Sequence, residues 1–142
     1  MSIIDKFRLD NQVAVITGAG KGIGAAIARA FAEAGADVVL AARTETDLRR
    51  VAADITALGR RALVVPTDVL DFAQLQGLAD ATMEHFGRID ILVNNAGGFP
   101  PKPVAHTTAR EFEGAFRFNV STAFELSRIC APLMVDGPGG GT

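Results

Sequence analysis

The segment Thr17-Gly18-Ala19-Gly20-Lys21-Gly22-Ile23-Gly24 carries the clearest chemistry in the chain. It follows the apolar run Val13-Ala14-Val15-Ile16 and opens into the alanine-rich Ala25-Ala26-Ile27-Ala28-Arg29-Ala30-Phe31-Ala32. That order predicts a strand, a tight turn and a helix. The first glycine permits the sharp turn. The later ones let backbone approach a pyrophosphate and let the helix pack on its strand. A helix start also offers free N–H groups and the positive end of a dipole to phosphate. A second strand, Asp37-Val38-Val39-Leu40-Ala41, completes one βαβ unit. In that context the glycine turn reads as a phosphate or dinucleotide site rather than an ordinary βα connection.

Other polar residues fall at the ends of predicted strands. Ala42 stands where an acidic residue would bind ribose hydroxyls and repel a 2′-phosphate, and Arg43 follows it. Arg43 and Lys21 either pair with a phosphate dianion through charge-assisted bonds or are solvated surface charges. Asp68 follows strand three; its carboxylate either accepts from an adenine amino group, with the Val69 N–H donating to the ring, or caps the next helix. Asn94 and Asn95 end strand four, where amides either bridge neighbouring strands and reach a ribose or serve structure alone. Asn119 lies inside a helix among aromatic and small residues. Asparagine is a poor helix former, so it needs a partner or a water there.

The elements that must position these residues are legible from periodicity. Strands are expected at 13–17, 37–42, 62–66 and 89–93, and helices at 22–34, 45–58, 72–86 and 108–134. Gly35, Gly59 and Gly87 stop the first three helices, and Thr44 is the expected N-cap of the second. Thr108-Ala109-Arg110-Glu111 has the capping-box pattern. The lead-in, residues 1–12, is expected as coil with Phe7 and Leu9 tucked against the fold. Strands that are apolar throughout are buried on both faces. Alternation with amphipathic helices and right-handed crossovers then gives a parallel α/β sheet in order 3-2-1-4. The proline-rich stretch 97–103 leaves its carboxyl edge, as a ligand loop or a stiff connector.

The spacing T-G-x-x-x-G-x-G, with Asn94-Asn95-Ala96-Gly97 after a later strand, resembles the short-chain dehydrogenase/reductase family along the whole chain. The resemblance implies a Rossmann-type doubly wound fold and hydride transfer between a nicotinamide cofactor and a small carbonyl or alcohol substrate. It implies cofactor contacts from Gly18, Gly20, Lys21, Gly22, Ile23, Gly24, Arg43, Asp68, Val69, Asn94, Ala96 and Gly97. The basic residues at 21 and 43 resemble the pattern that prefers NADP(H) over NAD(H). Asn119 resembles the family's active-site asparagine, which lies at a helix kink and holds a water in a proton relay. The family's serine, and its tyrosine and lysine spaced Y-x-x-x-K, are not matched; the chain has no tyrosine. The 142 residues therefore resemble a single dinucleotide-binding domain that stops before strand five. Such a piece would leave strand four as an edge and uncover the face of Phe112, Phe116 and Phe124. The expected state is then a homo-oligomer, since this helix commonly pairs with its copy in relatives. The rival expectation is a non-catalytic dinucleotide-binding module or inactive fragment.

Composition fits that reading. Apolar residues make up 49%, enough for a core, and the net charge of −2 offers no basic surface to nucleic acid or anionic membrane. No apolar run reaches membrane-spanning length. The start of the chain lacks a basic segment followed by an apolar one, so no signal peptide is expected. One cysteine, Cys130, suits a reducing, cytoplasmic setting, and two histidines without a ligand cluster argue against a metal.

Overall fold

The computed structural model describes residues 1–141. Its strands are β1 (Val13–Thr17), β2 (Asp37–Ala42), β3 (Ala62–Pro66) and β4 (Ile91–Val93). All pair in parallel in the order β3-β2-β1-β4, with Val15 opposite Val39 and Leu92, and Val39 opposite Leu63. This is the order expected from right-handed crossovers. Helices α1 (Gly22–Glu33), α2 (Glu45–Ala57) and α3 (Phe72–Phe86) follow the first three strands. After β4 the chain forms α4 (Ala109–Phe116), a π-helical segment (Arg117–Ser121) and α5 (Thr122–Val135).

Alternate residues of the central strands feed opposite faces of the sheet. Val13, Val15, Val39 and Ala41 pack with Leu75, Leu78, Leu126 and Ile129 of α3 and α5. Ile16, Val38 and Leu40 pack with Ala25, Ala28, Leu48, Val51 and Ile55 of α1 and α2. Both faces are covered, which is why the two central strands show no polar alternation. The small alanines let α1 lie close to the sheet. Complete burial of Leu48 and Ile55 stabilises α2 by roughly 1.5–3 kcal/mol each.

Polar anchors fix the ends of the sheet. Asp37, 4% exposed at its side chain, binds Arg60 and Arg61 from the turn before β3 at 2.8 and 2.6 Å. Asp90 accepts from the Val13 N–H at 2.8 Å and pairs with Arg88. Burial raises the Asp37 carboxyl pKa, but the Arg61 side-chain and N–H bonds and both guanidinium charges outweigh it and hold it below its ordinary value.

Several local expectations are refined. Residues 4–7 form a 3₁₀ turn pinned by reciprocal Ser2–Asp5 bonds, and Phe7 is 72% exposed instead of tucked in. The tether is Leu9, whose N–H donates to the Ala34 carbonyl at 2.8 Å. Strand four pairs only from Ile91, although Ile89 is buried and the Asp90 N–H donates to Val13. Thr44 occupies the N-cap of α2 but makes no side-chain cap bond. Thr108 and Glu111 do close the expected capping box on α4. The helix over 108–134 is interrupted by the π segment around Asn119.

Candidate functional site: a cleft at the carboxyl edge of the sheet

The glycine turn is locked to the end of β4 by side chains of both strands. The Thr17 hydroxyl accepts from the Asn95 and Ala96 N–H groups, each at 3.0 Å. The Asn95 amide donates to the Gly18 carbonyl at 3.2 Å. Gly18 has φ +62, and a Cβ there would lie 2.8 Å from the Asn95 amide nitrogen. A Cβ on Gly24 would drive into the Gly18 carbonyl oxygen. The close packing of α1 on the turn thus requires glycine at both positions.

A cleft of about 390 Å³ opens above this junction. Gly18, Gly20, Lys21, Ala42, Arg43 and Asp47 line it. Thr67, Asp68, Val69, Asn95, Ala96 and Gly97 line it as well. Lys21 is the N-cap of α1, and no side chain caps that helix. Among the described residues neither Lys21 nor Arg43 has an ion-pair partner. An uncapped helix start beside two free cations is a setting for an anion.

The remaining sequence candidates are distributed around the cleft. Gly22 has φ +58 and faces open space, and the Ile23 side chain is 74% exposed at the first turn of α1. Asp68 does not cap α3: Asp71 does, accepting from the Ala73 N–H at 3.1 Å. The Asp68 carboxylate accepts from the Leu70 N–H at 3.0 Å, within its own loop. Asn94 turns away from the cleft and donates to the Ser127 hydroxyl of α5 at 3.0 Å. The strand bridge expected of this pair is therefore made by Asn95, which lines the cleft.

Asn119 finds its partner in the loop after β4. Its carboxamide oxygen accepts from the Gly98 N–H at 2.8 Å, and its nitrogen donates to the Gly98 and Ala115 carbonyls at 3.0 and 2.9 Å. The π turn frees backbone for this exchange. Asn119 is exposed, not a core residue. Beside it a second hollow of about 630 Å³ lies between Gly98–Pro100 and α4, and Phe118 borders both hollows. Lys102 and Glu111 pair across its rim at 2.6 Å. The Lys102 bond, with the Thr108 N–H and hydroxyl, pulls the Glu111 carboxyl down to about 2.

Asn95, one of the two amides expected to reach a ribose, lines the cleft, and Thr17 locks the turn beneath it. Asp47 also lines the cleft. It carries no motif signal and is not a candidate from sequence. Among the described residues there is no metal-binding cluster and no helix long and apolar enough to cross a membrane. Burial pushes the Cys130 thiol up to about 11, so it stays protonated at neutral pH.

The residues present fit a dinucleotide: glycines where side chains would close the turn, an open helix N-terminus and free cations. Comparison with known proteins agrees. The short chain dehydrogenase family matches residues 12–141. An uncharacterised oxidoreductase of Mycobacterium tuberculosis (strain CDC 1551 / Oshkosh) is 49% identical over 140 residues, covering 99% of this chain and 53% of the relative. The structure of a 7α-hydroxysteroid dehydrogenase complexed with NADH and 7-oxo glycochenodeoxycholic acid superposes with a TM-score of 0.89 at 42% identity, covering 94% of this chain and 52% of the other. L-sorbose reductase from Gluconobacter frateurii, complexed with NADPH and L-sorbose, gives 0.85 at 34% identity, covering 90% and 49%. The chain thus spans about half the length of the relatives it matches. Matched over residues 12–141, the chain belongs to the short-chain dehydrogenase family.

Proposed function

We infer that this chain provides the adenosine and pyrophosphate half of an NADP(H) site in an oxidoreductase acting on a small carbonyl or alcohol substrate. The observation that carries the reading is the uncapped α1 start sharing one cleft with Lys21 and Arg43, while Ala42 ends β2. Backbone N–H groups at the start of α1 would hold the pyrophosphate. Arg43 and Lys21 would take the 2′-phosphate, which no acidic residue at position 42 repels. Asp68 and Val69 would line the adenine end, and Asn95, Ala96 and Gly97 the ribose side. Bound there, the cofactor supplies a hydride donor or acceptor.

Asn119 is the one candidate here for the reaction's proton path, acting as a positioning residue through Gly98. The chain has no tyrosine to serve as the family's general acid, so the 142 residues bind cofactor without turnover. A cytoplasmic setting accords with the single buried thiol. Self-association of two copies accords with Phe112, Phe116, Val120 and Phe124, each at least half exposed and spaced four residues apart.

Titration of the purified chain with NADPH and with NADH, followed by nucleotide fluorescence, tests the reading. NADPH is expected to bind more tightly, and Arg43→Ala is expected to weaken NADPH by about tenfold and NADH little. Equal weakening of both nucleotides would refute the role of Arg43.

A further inference from the structure

The acidic residue missing from the end of β2 has a spatial substitute. Asp47 lies in the first turn of α2, yet its Cβ is only 3.0 Å from where a Cβ on Gly20 would stand, and the Ala42 Cβ is 3.7 Å from that same point. Asp47 therefore sits beside Ala42 against the glycine turn, in the cleft that Lys21 and Arg43 also line. Its side chain is 22% exposed. It occupies the third helical position after Thr44, where a capping-box carboxylate would fold back, but Thr44 makes no side-chain cap bond. Its ion-pair partner is Arg50, 3.3 Å away and 69% exposed.

We propose that Asp47 is a cofactor-discriminating residue that accepts from the adenosine ribose hydroxyls of NAD(H) and opposes the 2′-phosphate of NADP(H). This rests on the dinucleotide reading of the cleft. One cleft then carries two opposed determinants: Lys21 and Arg43 favour the phosphate, and Asp47 disfavours it. The site takes both nucleotides, with the preference for NADP(H) narrowed. Arg50 sets how much of the Asp47 charge is felt, because a guanidinium beside a carboxylate cancels part of its field. A carboxylate kept for helix capping alone would leave the ratio of the two affinities untouched, since both nucleotides meet the same folded chain.

The test compares the full chain with Asp47→Asn and Arg50→Ala, measuring dissociation constants for NADPH and NADH by nucleotide fluorescence and melting temperature alongside. Asp47→Asn is expected to raise the ratio of NADPH to NADH affinity by about fivefold. Arg50→Ala, which exposes the carboxylate, is expected to lower it. A ratio unchanged in both variants, with wild-type binding intact, overturns the role of Asp47 and leaves the dinucleotide reading standing. Failure of the folded wild-type chain to bind either nucleotide overturns both. A ratio that responds to Asp47→Asn but not to Arg43→Ala supports Asp47 and refutes only Arg43.

Discussion

Gly98 and Asn119 hold each other through two hydrogen bonds: the Gly98 N–H donates to the carboxamide oxygen at 2.8 Å and its carbonyl accepts from the nitrogen at 3.0 Å. This pair fastens the proline-rich loop to the π segment. A Cβ on Gly97 would stand 2.6 Å from the same oxygen, so the approach also depends on a missing side chain one residue earlier. Asn119→Ala is expected to lower stability by about 1–2 kcal/mol and to speed amide exchange at Gly98. Unchanged exchange at Gly98 would show that the loop is held by other contacts.

The glycine turn makes a contrasting pair of predictions. Gly24→Ala pushes a methyl group into the Gly18 carbonyl, and the expected cost is about 1–3 kcal/mol together with weaker nucleotide binding. Gly77→Ala lies inside α3 with nothing within 4 Å of its added methyl, and is expected to stabilise by about 0.5–1 kcal/mol. Denaturant midpoints of the two variants check both signs.

Much of this organisation was legible in the sequence because it rests on short-range patterns. Strand runs, helix stops and the Thr108–Glu111 box depend on residues within a turn or two of each other. The parallel order followed from strands apolar on both faces. The Asn119 interruption was not visible as a π turn, because its partners at Gly98 and Ala115 are chosen by the tertiary path of the loop. Asn94 and Asn95 are adjacent and chemically identical; only the direction of each side chain decides which one bridges to Gly18. Phe7 looked like a core residue by type, but local Ser2–Asp5 bonding fixes its turn outside the core. Asp47 was hidden because an acid in a first helical turn already has an electrostatic reason to be there.

Acid sensitivity is expected to centre on Asp37. Its folded-state pKa is lowered, so its contribution is fully present above the unfolded value of about 4 and is lost as pH falls through the folded one. Asp37→Asn removes that dependence and leaves Arg60 and Arg61 without their carboxylate. Urea midpoints should differ clearly between wild type and variant at about pH 6, and the difference should shrink as pH falls below about 4. A constant difference across that range would mean that Asp37 does not titrate with unfolding.

The most direct measurement is a nitrogen–proton correlation spectrum of the 142-residue chain during titration with NADPH. The cleft account predicts saturable shifts concentrated at the amides of residues 18–24, Arg43, Val69, Ala96 and Gly97, with helix α3 beyond its first turn unaffected. A folded spectrum in which those amides stay still while NADPH is added would contradict the assignment of this cleft as the dinucleotide site.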